Sequence, residues 1–139
     1  MKVFLYYIGK AKDPHANAMA ADFIGRTAKF VSTEMREIHP ERFDIFGKHA
    51  AARKVFLDPA GKIVSSADFA MLFSRAAMEG RDVVFLIGGH DGLPAGWRQR
   101  ADQLVSMSPM TFPHELARVM LAEQIYRALC SLNHHPYVR

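Results

Sequence analysis

The sequence predicts an α/β protein built on a mainly parallel sheet, and three observations lead there. Val83–Ile87 (VVFLI) is an unbroken run of β-branched, aromatic and aliphatic residues, the pattern of a central strand covered on both faces. Short apolar runs alternate along the chain with segments of helical spacing, as parallel strands joined by helices require. The central run breaks at Gly88, Gly89 and Gly92, just past the carboxyl end of a strand, where open α/β sheets bind ligands. Paired glycines permit positive φ and let a ligand approach the main chain closely. They serve a tight strand-to-helix turn without any ligand equally well, and from these residues alone both readings stand.

The elements follow in order. Val3–Ile8 forms a buried first strand closed by Gly9. Asp13-Pro14 reads as an N-cap with proline at the first helical position, opening a helix in which Met19, Phe23 and Phe30 share a face. Met35 and Ile38 mark a second, weaker strand. Residues 39–53, with Pro40 and Gly47, form a loop or short helix. Val55–Leu57 is a third strand, ending in Asp58-Pro59-Ala60-Gly61, a type I turn sequence. Ser65 caps the next helix with Asp68 three residues on. Phe69, Leu72, Phe73, Ala76 and Ala77 follow at helical spacing and Gly80 ends the helix. After the central strand come a short helix over 95–102, a strand over 103–107, a loop from Pro109 to Pro113 and a long helix over 114–132.

The chain has 139 residues, half of them hydrophobic, with ordinary charge content and a net charge of +4. That composition suits one globular domain, 1–139, with a real core. Its basic balance hints at an acidic partner such as nucleic acid. A lone cysteine, Cys130, excludes an intrachain disulfide, fits a reducing compartment and falls in a helical pattern as a small core residue. No segment has the length of a membrane span and the N-terminus lacks a signal peptide's pattern, so a cytosolic protein with no membrane contact is expected.

GGHDG has neither the spacing of a dinucleotide fingerprint nor the Gly-Lys-Ser/Thr of a phosphate loop. Asp91 would repel a phosphate, which points to a cationic or neutral ligand. Seven histidines occur, but without metal-ligand spacing, so no metal is expected. Ser106 and Ser108 read as strand-end residues. In the last helix Glu123, Gln124, Arg127 and Ser131 form one narrow polar stripe, and Leu116, Val119, Met120, Ile125, Tyr126 and Leu129 spread over the rest. One sheet face does not cover so wide an apolar surface, which implies a homodimer. Arg118 points into the apolar side, either in a buried ion pair, for instance with an acidic residue of the other subunit, or in contact with RNA phosphate.

The strings VFLD (55–58), LIGGHDGL (86–93), SMSPMTFPHELARVMLAEQIYRA (106–128) and HPY (135–137) together resemble the RlmH family, the ribosomal RNA large-subunit methyltransferases H of the SPOUT class. The likeness covers nearly the whole chain and is strongest over roughly its last 60 residues. It implies a SPOUT-type sheet flanked by helices, with a C-terminal trefoil knot, and an obligate homodimer. It implies further that S-adenosylmethionine is used to methylate N3 of a pseudouridine in 23S rRNA within the ribosome. By matching position, Leu57, Gly88, Gly89, Gly92, Met107, Ser108, Met110, Thr111 and Phe112 would wrap the cofactor. The tail residues His135, Tyr137 and Arg139 would engage RNA and support turnover. Tyr137 would stack on a base, Arg139 would supply charge, and His135, before Pro136, suits a structural hydrogen bond better than a base role. The chain departs from the family pattern in three places. His90 replaces proline or alanine, the 39–53 segment is short, and Val138 stands where the family has histidine. The last departure motivates a rival reading, a ribosome-associated RNA-binding protein of the same fold with little or no methyl transfer.

Overall fold

In a computed structural model that describes residues 1–138, five strands form one parallel sheet in the order β2-β1-β4-β3-β5. They are β1 (Val3–Ile8), β2 (Thr33–Ile38), β3 (Arg53–Ile63), β4 (Val83–Ile87) and β5 (Gln103–Ser106), and all four pairings are parallel. β4 is central, and all five of its side chains are buried. Val83, Phe85 and Ile87 enter the core beneath the long helices, while Val84 and Leu86 enter a second core on the opposite face. This two-sided burial is why the strand reads as a continuous apolar run.

α1 (Pro14–Arg26) starts where expected. The Asp13 carboxylate accepts hydrogen bonds from the His15 and Ala16 amides, and Pro14 lies at the first helical position. Its fully buried residues are Ala16, Ala20 and Ile24, and of the expected Met19, Phe23 and Phe30 the two phenylalanines pack half-buried against the same core. Met19 is exposed, and Phe30 lies beyond a 3₁₀ turn at Thr27–Lys29. Small residues win this face because α1 packs closely against α5 (His114–Leu132). α3 (Ser66–Glu79) is capped by the Ser65 side chain, which accepts from Asp68 N, and it ends at Gly80 with φ +67°. It buries Ala70 where Ala77 was expected.

Two expectations are corrected by local geometry. Asp58–Gly61 is not a turn that ends a strand, because β3 continues through it as a bulge, its register with β5 shifting between Leu57 and Lys62. Asp58 Oδ1 accepts from Ala60 N at 2.8 Å, which satisfies the bend locally while the strand goes on. Only glycine fits at 61, since a Cβ there would lie 2.7 Å from the backbone of Leu104 and Val105. The 39–53 segment contains one short helix, α2 (Ile45–Lys48), capped by Asp44. The buried Lys54 ammonium gathers it from below, donating to the carbonyls of His49 and Ala52 at 2.9 Å each. The helix expected over 95–102 is one turn, α4 (Trp97–Arg100).

The wide apolar surface of α5 is covered mostly within the chain, because α5 packs on both α1 and α3 as well as on the sheet. Val119, Leu121, Ile125, Tyr126, Leu129 and Cys130 are all buried this way. Leu116 and Met120 remain exposed. Among the described residues no helix is long and apolar enough to cross a membrane, and no cluster of metal-ligating side chains occurs.

Candidate functional site

A cavity of about 580 Å³ opens at the carboxyl ends of β3, β4 and β5, a size in the range of small-molecule sites. Three chain segments wall it. The first is the end of β3 with its bulge, contributing Leu57, Asp58 and Pro59. The second is the glycine loop, where Gly92 N donates to Gly89 O at 2.9 Å and closes a tight turn with Gly92 at φ +78°. A Cβ on Gly88 would lie 2.6 Å from the Gly92 carbonyl carbon, and one on Gly89 would lie 3.0 Å from Ile8 O. The third wall is residues 106–113 leading into α5. Ser106 Oγ donates to Ser108 O at 2.8 Å and Ser108 Oγ accepts from Met110 N at 3.0 Å, so both serines shape this loop as strand-end residues.

The nine residues expected to wrap a cofactor (Leu57, Gly88, Gly89, Gly92, Met107, Ser108, Met110, Thr111 and Phe112) all line this one cavity. Ile87, Val105, Phe112 and Leu57 give it apolar walls, and polar and charged groups enter at Asp58, His90, Arg98 and His114. Asp58 is buried, and Arg98 Nε donates to its Oδ2 at 2.8 Å. Sequence reasoning did not mark Asp58, Arg98 or His114. Asp58 closes the VFLD string and His114 follows Pro113 in the 106–128 string, so both carried a signal. Arg98 carried none, because its partner lies 40 residues away.

The tail is not part of its own chain's cavity. Tyr137 folds back on α5, donating its hydroxyl to Glu123 Oε2 at 2.8 Å beneath the Arg127 guanidinium, 5.4 Å from the ring centre. Burial first, and then the bond to Glu123, push its phenol pKa up, so at neutral pH it is a donor. His135 lies 3.2 Å from Lys29 Nζ through Nε2, and its Nδ1 accepts from Tyr137 N at 3.2 Å. That is the structural bond expected of it. Glu123 is nine residues from His114 at the cavity wall, about 13 Å along the helix at 1.5 Å per residue. Arg139 lies outside the described residues.

Arg118 is the most anomalous side chain nearby. It is 1% exposed, its guanidinium lies 4.0 Å over the Tyr7 ring, and its three nitrogens find no hydrogen-bond acceptor among the described residues. Its ion-pair partner is Glu115 of the same chain, at 3.7 Å. The backbone amides of Asp13 and Lys12, which donate to Glu115, lower its carboxyl pKa.

Comparison with known proteins agrees with this architecture. The family described as "Predicted SPOUT methyltransferase" matches residues 1–137. The chain is 66% identical to the ribosomal RNA large subunit methyltransferase H of Solibacter usitatus, over all of both chains. It is 38% identical to the protein of the same name from Chromobacterium violaceum, over all of this chain and 99% of that one. Among solved structures it resembles a probable methylase family protein from Haemophilus influenzae, with a TM-score of 0.61 and 8% identity over 96% of this chain and 67% of that one. It also resembles a probable methyltransferase from Bordetella pertussis, with a TM-score of 0.59 and 13% identity over 91% and 95%. These two likenesses speak to the fold.

Proposed function

Because the chain belongs to the SPOUT methyltransferases and, within them, to the ribosomal RNA large subunit methyltransferase H family, we propose that it methylates N3 of a pseudouridine in 23S rRNA within the ribosome. It is an rRNA methyltransferase that uses S-adenosylmethionine. The reading is supported most by the convergence of the nine matched loop residues on one cavity at the carboxyl end of the sheet.

The cavity suits this cofactor in three respects. Its apolar walls suit an adenine ring, its glycine loop brings backbone within reach of a ligand, and its one buried carboxylate is already neutralised by Arg98. The cofactor supplies an electrophilic methyl group on a sulfonium. The N3 imide of the base must lose its proton as the N–CH₃ bond forms and the S–CH₃ bond breaks, leaving a neutral thioether. The residues of this chain contribute by holding the reactants in line and by excluding water. No step requires a metal.

The proposal includes a homodimer and the knot that the resemblance implies. The tail of one chain is held against Glu123, far from its own cavity, so His135, Tyr137 and Arg139 act at the cavity of a second copy. Exposed Leu116 and Met120 on α5 offer the apolar contact for that copy. Backbone approaches at Gly61 and Gly88 that exclude any side chain suit the close chain crossings of a knot. The test is methyl transfer from labelled S-adenosylmethionine to ribosomes lacking the modification. Mixing Gly89→Trp chains with chains lacking residues 137–139 should regain activity that neither has alone. A wild-type protein that binds the ribosome without methylating it would point to the RNA-binding reading. A solution mass of one chain at micromolar concentration, unchanged by Met120→Asp, would rule out the shared site.

A further inference from the structure

We propose that Arg98 is a positioning residue. Its ion pair with Asp58 straps the segment that follows the glycine loop to the bulge of β3 and so holds the cofactor cavity closed on its ligand. The proposal rests on the reading of this cavity as the S-adenosylmethionine site.

Asp58 has a side chain only 3% exposed. A carboxylate so placed needs a full set of donors. Its Oδ1 is occupied inside the bulge by Ala60 N, and its Oδ2 receives both Nε and Nη2 of Arg98, at 2.8 and 2.5 Å. The carboxylate is therefore fixed to β3 through one oxygen and to α4 through the other. Both residues line the cavity, so the pair joins two of its walls, one from β3 and one from the chain after β4.

α4 has little else to hold it on that side. It is one turn long, it follows Gly96 at φ +83°, and it has no side-chain cap. Its other anchors lie on the far face of the sheet: Trp97, whose ring lies 5.3 Å from that of Phe46 and 6.3 Å from that of Phe56, and Arg100, whose guanidinium lies 3.7 Å over the Phe46 ring. Arg98 is the contact that reaches the cavity. Its side chain is 55% exposed while that of Asp58 is 3% exposed, so opening the pair frees the guanidinium into water but leaves a buried carboxylate short of donors, which favours the tied state. A tie of this kind, anchored on a rigid bulge and released into solvent, controls ligand exit more than ligand encounter.

The experiment measures release of S-adenosylhomocysteine from preloaded full-length protein after rapid dilution. Arg98→Ala, which removes both bonds to Asp58 Oδ2, should speed release about tenfold while association stays within about twofold. Arg98→Lys should recover part of the loss. The double variant Asp58→Asn with Arg98→Ala should release no faster than Arg98→Ala alone, since the two act as one unit. If Asp58→Asn does not fold, Arg98→Gln and Arg98→Lys still decide the matter against Arg98→Ala. Release rates unchanged in a folded Arg98→Ala protein overturn the strap, as do single effects that simply add. A wild-type chain that binds no S-adenosylhomocysteine overturns the cofactor reading, and this proposal with it. A wild type that binds, with every variant releasing at the wild-type rate, overturns the strap only.

Discussion

Replacing Gly88 with alanine should damage the cavity at the carboxyl end of the sheet through a single methyl group. The added carbon would lie 2.6 Å from the Gly92 carbonyl carbon, 2.7 Å from its oxygen and 2.9 Å from Leu93 N. All three are backbone atoms, so no side chain can rotate away. Ordinary contact begins near 3.4 Å, so the turn closed by Gly92 N and Gly89 O must move outward by most of an ångström. Overpacking of this kind costs about 1–3 kcal/mol. Because the displaced turn is a cavity wall, much of that cost should appear in ligand affinity, as a loss of about tenfold to a hundredfold. Gly25→Ala is the matched control. It lies in α1 with nothing within 4 Å, and alanine there should raise stability by up to about 1 kcal/mol. Calorimetric titration with S-adenosylhomocysteine, beside thermal melts of both variants, reads the two effects. Gly88→Ala protein that melts and binds like wild type would refute the reasoning.

Three further outcomes follow from particular contacts. Deleting residues 137–139 should lower methylation at least about tenfold while S-adenosylhomocysteine affinity moves by less than about 1.4 kcal/mol. Equal losses in both would place the tail in the cofactor site. Arg118→Met should leave stability unchanged or raise it by about 1–2 kcal/mol, since a buried guanidinium without acceptors costs more than an apolar side chain of similar length. A fall of several kcal/mol in urea unfolding would show that the guanidinium has a partner beyond Glu115, the most informative being one from a second chain. The third outcome concerns His49, which is buried and 2.8 Å from the Tyr6 hydroxyl through Nε2. Burial, and then Lys48, lower its pKa below the ordinary 6.5. The unfolded chain therefore takes up this proton first as pH falls, so the stability tied to neutral His49 is complete above about pH 6.5 and erodes below it. Urea unfolding at pH 7.5 and pH 5 should show a smaller acid loss in His49→Asn than in wild type, and an equal loss would contradict the assignment.

Much of the sheet was legible because each strand carries its own signal. β1 and β4 begin and end where their apolar runs do, and Asp13, Ser65 and Gly80 cap helices as their residue types imply. That the nine loop residues share one cavity was legible for a different reason, since contiguous motifs report a family even where periodicity reports nothing. What escaped was set by partners distant in sequence. Asp58-Pro59-Ala60-Gly61 carries the same local chemistry whether it ends a strand or bulges within one, and only pairing of Lys62 and Ile63 with β5 decides between them. The α5 surface looked too wide because one helix wheel does not show that α1 and α3 cover two of its flanks. Arg98 was unreadable because nothing near it in sequence names Asp58. The folding of Tyr137 back onto Glu123 was equally hidden, and it changes the reading of the tail. Within one chain Tyr137, expected to engage RNA, lies along α5 away from the cavity.

The most direct measurement is mass-spectrometric mapping of pseudouridines in 23S rRNA from cells with and without this protein. The account expects N3-methylpseudouridine at one position in wild-type cells and unmodified pseudouridine there when the protein is removed. Wild-type protein should restore the methyl group, and Gly88→Ala protein should restore little of it. An unchanged modification pattern on removal, or a lost methyl group on a different kind of base, would contradict it.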